Sequence, residues 1–274
     1  MNYDLHSHTL ASDGSLTPDA LVAAAVDAGV DTLAITDHDT VAGYLEWASG
    51  ANKLAIEVIP GIEFSTTWNG IGIHVLGLNI DPHSAAIQTG SKIQISARCE
   101  RAVRIIERLK KAGLPVDQDA LLASAGTDAP GRPHIARYLV DNGLVKDINT
   151  AFKKYLGAGK AGDVKNLWAE MKTVVDWIRD SGGTAILAHP DKYNLTFSKL
   201  TRLTDDFAAL GGQGIEVISG QQHPDTTQRL ARLCSERKLV ASKGSDFHQP
   251  GQPWCRLGKS GPLPEQCMPV WHHW

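Results

Sequence analysis

Apolar residues in this chain gather in short runs rich in β-branched side chains, set between longer stretches with helical spacing. Residues 31–36, 54–65, 72–78, 184–188, 214–219 and 239–248 read as strands, bounded by glycine, proline and polar residues. A seventh run, at the start of the chain, leads into Asp4-Leu5-His6-Ser7-His8-Thr9 and closes on Asp13-Gly14. Between the early strands lie helices. Thr17 is a natural N-cap, Pro18 suits the first helical position, Asp19 sits in the first turn and Gly29 ends the helix. Thr40 caps a second helix that runs to about residue 49. Strand and helix in alternation predict a parallel α/β fold.

The rhythm breaks from residue 82 to 164, where no strong strand pattern occurs. Residues 84–112 predict one long helix, ended by Gly113 with Pro115 beyond, and 117–125, 133–142 and 147–156 predict shorter ones. Gly157-Ala158-Gly159-Lys160-Ala161-Gly162 reads as a flexible exit. Alternation resumes with helices near 164–180, 198–210 and 225–237. The expected organisation is therefore an α/β domain in two parts, 1–81 and 165–274, around a helical insert at 82–164. The tail after Gly261 carries no clear element pattern.

Ionisable residues recur where the strands end: His6 and His8; Asp37 and His38; Glu63; His74; His189; Glu216; Asp246 and His248. In α/β folds the carboxyl ends of the strands are where sites are built. His6 and His8, two residues apart on a strand, share a face and can act as a pair of ligands. One such residue is unremarkable; one after every strand is a pattern. Imidazole and carboxylate without cysteine favour zinc, iron or manganese in a hydrolytic role, and so many ligands imply two or three ions.

Composition narrows the setting. The chain has 274 residues, 42% hydrophobic and 21% charged, with a net charge of −3 and 11 histidines. That balance gives no global electrostatic case for duplex DNA or a membrane surface. Four scattered cysteines, no Cys-x-x-Cys pair, no signal-peptide pattern and no membrane-length apolar run lead to the expectation of a cytoplasmic protein.

HSHTLASDG, ITDHDT, PGIEFS, AHP and GSDFH, in that order, resemble the motifs of the PHP (polymerase and histidinol phosphatase) superfamily. The likeness spans residues 1–80 and 165–260. The insert, with Gly131-Arg132-Pro133-His134 inside it, is most similar to the branch acting on nucleoside 3′,5′-bisphosphates and on RNA 5′ ends. The resemblance implies a distorted seven-stranded, TIM-like (β/α) barrel with a trinuclear site. It implies one metal on His6, His8, Glu63 and Asp246. A second would be shared through Glu63 with His74 and His134, and a third held by Asp13, His38 and His248. Manganese is the first expectation for the ions, with zinc or iron as alternatives.

The expected reaction is hydrolysis of a phosphoester, by a water whose pKa two cations have lowered. Removal of the 3′-phosphate from a nucleoside 3′,5′-bisphosphate fits best, with 5′-3′ exonuclease action on short RNA as a second use of the site. Histidinol-phosphate phosphatase and a non-catalytic metal-binding module are the alternatives. His189 and Asp37 are candidates for protonating the leaving alkoxide, and a supporting role behind the metals is open for His189. Arg132 and Lys243 are candidate phosphate holders, since a guanidinium matches phosphate bidentately. Arg98, Arg101, Arg104 and Arg108 share one face of the long helix, and a solvated face is the plainer reading of them. Trp254 is expected to pack on the barrel.

Overall fold

The computed structural model describes residues 1–50, 55–126, 129–164 and 167–274. Its contacts divide the chain into two compact units, 1–91 with 169–274, and 92–168.

The first unit is built on one sheet of eight strands in sequence order. They are β1 (Tyr3–Asp4), β2 (Thr32–Ile35), β3 (Glu57–Trp68), β4 (Ile71–Leu78), β5 (Thr184–Leu187), β6 (Gly214–Ser219), β7 (Val240–Gly244) and β8 (Met268–Pro269). The sheet closes on itself. Past β1 the chain runs along β7: Leu5 N–H donates to the Lys243 carbonyl (3.0 Å), Asp246 N–H to that of His6 (2.9 Å), and His8 N–H to that of Phe247 (2.9 Å). Seven strands thus form the barrel, and β8 pairs with the other end of β7 through Val240 and Met268.

The expected all-parallel order holds for β1–β2–β3 and β5–β6–β7 but fails in between. β3 and β4 form an antiparallel hairpin, and β4 is antiparallel to β5 as well. The reason is local. Trp68 pairs with Ile71 across Asn69 and Gly70, whose φ angles are 48° and 74°. That is the left-handed pair which a two-residue hairpin turn demands, and Asn-Gly is its strongest sequence signal. The third strand was expected to start at Leu54, which lies outside the described residues.

Side chains on β3 and β4 sort by parity. Ile62, Phe64, Ile73 and Val75 face outward and pack with Val174, Val175 and Ile178 of helix α7 (Met171–Asp180), together with Leu203 and Phe207 of α8 (Phe197–Ala209). Ile59, Leu76 and Leu78 join Leu5, Ala34, Ile186 and Val240 in a second apolar layer. Each fully buried leucine or isoleucine there contributes roughly 1.5–3 kcal/mol. Glu63 and His74 have the same parity as this second layer, so the polar site shares the barrel face that it covers. Helix α7 starts later than the expected residue 164; residues 167–170 are not helical, and 165 and 166 lie outside the described residues.

Helices α1 (Pro18–Asp27) and α2 (Ala42–Ser49) cover β2, and α9 (Pro224–Glu236) lies between β6 and β7 in the chain. Thr17 caps α1 as its sequence predicts, its hydroxyl accepting from Ala20 N–H. The long helix α3 (Ala85–Lys111) begins in the first unit and continues into the second, where α4 (Gln118–Ser124), α5 (Arg132–Asp141) and α6 (Ile148–Ala151) follow. Ile105, Ile106, Leu109, Leu121, Ile135 and Leu139 are central to the second unit's core. None of the described helices is long and apolar enough to cross a membrane.

Candidate metal centre

Glu63 is the hub. It is fully buried on β3, and five imidazoles reach it. Oε1 lies 2.9 Å from His74 Nδ1 and 2.9 Å from His189 Nε2. Oε2 lies 2.9 Å from His38 Nδ1, 3.3 Å from His8 Nε2 and 3.4 Å from His6 Nε2. The antiparallel hairpin explains the nearest of these. Glu63 pairs with Leu76, so His74 is its diagonal neighbour on the same face. His74 was expected at a strand's carboxyl end; it reaches the barrel mouth because β4 runs the other way and brings its first half there.

Asp246 completes the first group. Its Oδ1 lies 3.4 Å from His6 Nε2 and 3.3 Å from His8 Nε2. Four donors arranged tetrahedrally around a cation at ordinary ligand distances would stand about 3.4 Å apart. Asp13 forms another group: Oδ1 lies 3.3 Å from His248 Nε2, and Oδ2 lies 3.8 Å from His38 Nε2. His8 and His248 stack here, their ring centres 4.1 Å apart.

Several of these atoms are buried without a hydrogen-bond partner: His6 Nε2, both ring nitrogens of His8, Asp13 Oδ1 and Glu63 Oε2. Buried polar atoms normally find partners, and leaving one unsatisfied costs about 1–3 kcal/mol. Converging, orphaned imidazole and carboxylate donors fit divalent cations. Electrostatics agree. Burial opposes charge on Glu63, yet His38, His74 and His6 hold its carboxyl well below the usual range. Asp246 and Asp13 are likewise held down by neighbouring histidines, against burial. Burial and the charge of His248 push His8 down to about 3, and burial takes His74 to about 4.

The loops that carry the ligands are locked by carboxylates that do not converge on the hub. Asp37 was a candidate acid, but both of its oxygens are taken. Oδ1 accepts from Thr9 N–H (2.7 Å) and the Ser12 hydroxyl (2.6 Å), and Oδ2 accepts from the Thr9 hydroxyl (2.7 Å). It fastens the loop from His8 to Asp13. Asp39, which sequence reasoning passed over, accepts from the Ser65 N–H and hydroxyl and so fixes β3 beside Glu63. Asp39, His189 and Asp246 all have positive φ, at 58°, 26° and 54°. Such strained backbone persists where surrounding contacts over-determine it. Gly43 packs against the Asp37 network: an added Cβ would lie 2.1 Å from Asp37 Oδ2 and 2.5 Å from Thr9 Oγ1. Gly43→Ala is expected to lower stability by about 1–3 kcal/mol, read as a fall in unfolding temperature. An unchanged temperature would mean that this loop is not clamped as described.

Other candidates have the following surroundings. His189, a candidate acid, places Nε2 3.3 Å from His74 Nδ1 as well as against Glu63. Its Nε2 thus joins Glu63 and His74 in one group of converging donors. His134 sits in the other unit, in the first turn of α5, where its Nδ1 accepts the Gly131 N–H at 3.1 Å. Lys243 is buried on β7 and its ammonium donates to the Gly261 carbonyl (3.2 Å). The lysine at the cluster is Lys192, which pairs with Asp246 and had no signal in the sequence beyond following AHP by two residues. Arg98 and Arg101 are buried, each with its guanidinium over the Trp168 ring, at 5.2 and 5.4 Å. The solvated-face reading survives for Arg104 and Arg108, which are exposed. Arg132 is half-buried in the same unit, and burial lowers its pKa with Asp163 opposing. Trp254 is 57% exposed rather than packed on the barrel.

A (β/α) barrel whose mouth gathers buried imidazoles and carboxylates around one buried glutamate has the donor set of a metal-dependent enzyme. The chain belongs to the PHP domain family, which matches residues 4–178. It is 45% identical to a 5′-3′ exoribonuclease of Haemophilus influenzae over 98% of this chain and 97% of that one. It is 41% identical to a 3′,5′-nucleoside bisphosphate phosphatase of Chromobacterium violaceum, over 98% and 95%. A solved structure described as a metal-dependent phosphoesterase of Bifidobacterium adolescentis superposes with a TM-score of 0.80 at 28% identity, covering 98% of this chain and 92% of that one. The protein is a metal-dependent hydrolase of the PHP type.

Proposed function

We propose that this protein removes the 3′-phosphate from nucleoside 3′,5′-bisphosphates and, at the same site, releases nucleotides from the 5′ end of short RNA. The carrying observation is the bridging position of Glu63 among five imidazoles. Support for the substrate comes from relatives named for each of the two reactions, across nearly the whole chain. Both reactions break a 3′ phosphoester near a 5′-phosphate, so one arrangement serves both. No relative among these is named for histidinol phosphate, which leaves that alternative without support.

Three cation positions fit the donors. His6, His8, Glu63 and Asp246 would hold one; Glu63, His74 and His189 a second; Asp13, His38 and His248 a third. Manganese is the favoured ion, with zinc or iron as alternatives. Bound cations would supply an activated water and offset charge on the phosphoryl group. The chain's own residues orient this chemistry. Glu63 ties the first two positions together, Asp37 holds the loop that carries Asp13, and Asp246 presents one oxygen to the first position while Lys192 takes the other. Arg132 remains the candidate for the substrate's second phosphate on the chemistry of its guanidinium, which matches a phosphate bidentately.

The test is phosphate release with Mn²⁺ from adenosine 3′,5′-bisphosphate, histidinol phosphate and a 5′-phosphorylated RNA oligomer. The bisphosphate is expected to be turned over fastest, and preference for histidinol phosphate would overturn the proposal. Arg132→Ala is expected to cut kcat/KM for the bisphosphate by about 10-fold or more while sparing a simple monophosphate ester. Equal loss on both substrates would make Arg132 scaffold.

A further inference from the structure

Glu216 is completely buried on β6, yet it belongs to none of the converging ligand groups. Its two oxygens are divided between two residues that do belong. Oε1 lies 3.0 Å from His6 Nδ1, and Oε2 accepts the backbone N–H of His189 at 2.6 Å. A bulge in the β6–β7 pairing falls between Glu216 and Ile218, immediately beside it. Bulges of this kind re-aim the neighbouring side chain.

Each contact has a consequence. With Oε1 accepting, His6 Nδ1 carries the proton. The nitrogen left to ligate is then Nε2, the ring atom that stands 3.4 Å from Glu63 Oε2 and from Asp246 Oδ1. The other contact holds a strained turn. His189 has φ 26° and ψ 56°, a conformation that a non-glycine residue adopts only under constraint. That turn aims its Nε2 at Glu63 Oε1 and His74 Nδ1.

We propose that Glu216 is a positioning residue for two metal positions at once. It sets the tautomer of His6 for one and the backbone turn of His189 for the other. The inference rests on reading His6 and His189 as ligands. Only a carboxylate serves both contacts, because both groups facing it are donors. A glutamine in its place offers one acceptor oxygen, and its amide N–H must face a donor.

The test is equilibrium affinity for Mn²⁺ and Zn²⁺, by competition with a chromophoric chelator, beside the unfolding temperature of the metal-free protein. Glu216→Gln is expected to weaken metal binding by roughly 10–100-fold, the usual effect of losing an outer partner of a ligand, with the metal-free fold retained. Glu216→Asp, a methylene shorter but still charged, is expected to fall between Gln and wild type and replaces Gln in the comparison if that variant does not fold. A wild-type protein that binds no divalent metal would overturn the ligand reading itself. Tight wild-type binding with a Gln variant within twofold of it, or a lowered unfolding temperature at unchanged affinity, would overturn only the role of Glu216.

Discussion

Glu63→Gln is expected to lower kcat by about 10³-fold or more, equivalent to about 4 kcal/mol of lost transition-state stabilisation. The substitution keeps size and removes charge. Both Glu63 oxygens face imidazole nitrogens at 2.9–3.4 Å. An amide would turn an N–H₂ toward one of those sets, so one oxygen of the bridge is lost whichever way it lies. Phosphate release, set beside circular dichroism of the folded protein, checks this. A folded Gln variant within tenfold of wild type would rule out Glu63 as the bridge.

Metal loading is expected to release protons at pH 8, because bound imidazole must give up its proton at the ligating nitrogen. The sources can be named. Burial works against charge on His6, but Glu216, Glu63 and Asp246 hold its pKa well above the ordinary value. Burial also opposes charge on His248, yet Asp13 and Asp246 raise it to about 10. His8 at about 3 and His74 at about 4 are already neutral, and the three carboxylates are already ionised. Calorimetric titration in two buffers of different ionisation enthalpy reads the number, and a value near zero would contradict the assignment. Stability follows with a definite sign. His248 has a folded pKa above its unfolded one, so its contribution to the metal-free fold is complete below pH 6.5 and disappears as pH rises through about 10. The unfolding temperature of the metal-free protein should therefore drop between pH 7 and pH 10. The loaded protein, whose His248 is no longer protonated, should not show that drop.

The α/β alternation and its ring of ionisable strand ends were legible because both are local. Alternating strands and helices show as hydrophobic periodicity, and His6, His8, Asp246 and His248 announce themselves by ending apolar runs. The hairpin was equally local. Asn69-Gly70 between two apolar runs is a hairpin signal, and the direction of β4 follows from it. What the sequence hides is which partner each polar group meets. Asp37 and Glu63 both follow strand-forming runs; only the fold shows that Thr9 and Ser12 consume one while five histidines surround the other. Glu216 is indistinguishable from a ligand until its distance to His6 is known. His189 and His134 both adjoin a proline; the strained turn that aims His189 at Glu63 has no signature in residue type.

The closure of the barrel sets an order of events. The cluster draws on His6 and His8 at one end of the chain and on Asp246 and His248 about 240 residues later, joined by the β1–β7 seam. Contacts this distant in sequence form late, after the intervening elements have paid their ordering entropy. A ribosome-bound chain lacking residue 246 has Glu63 and its nearby histidines but no complete first position. The first group of donors is therefore complete only once both ends of the chain are in place.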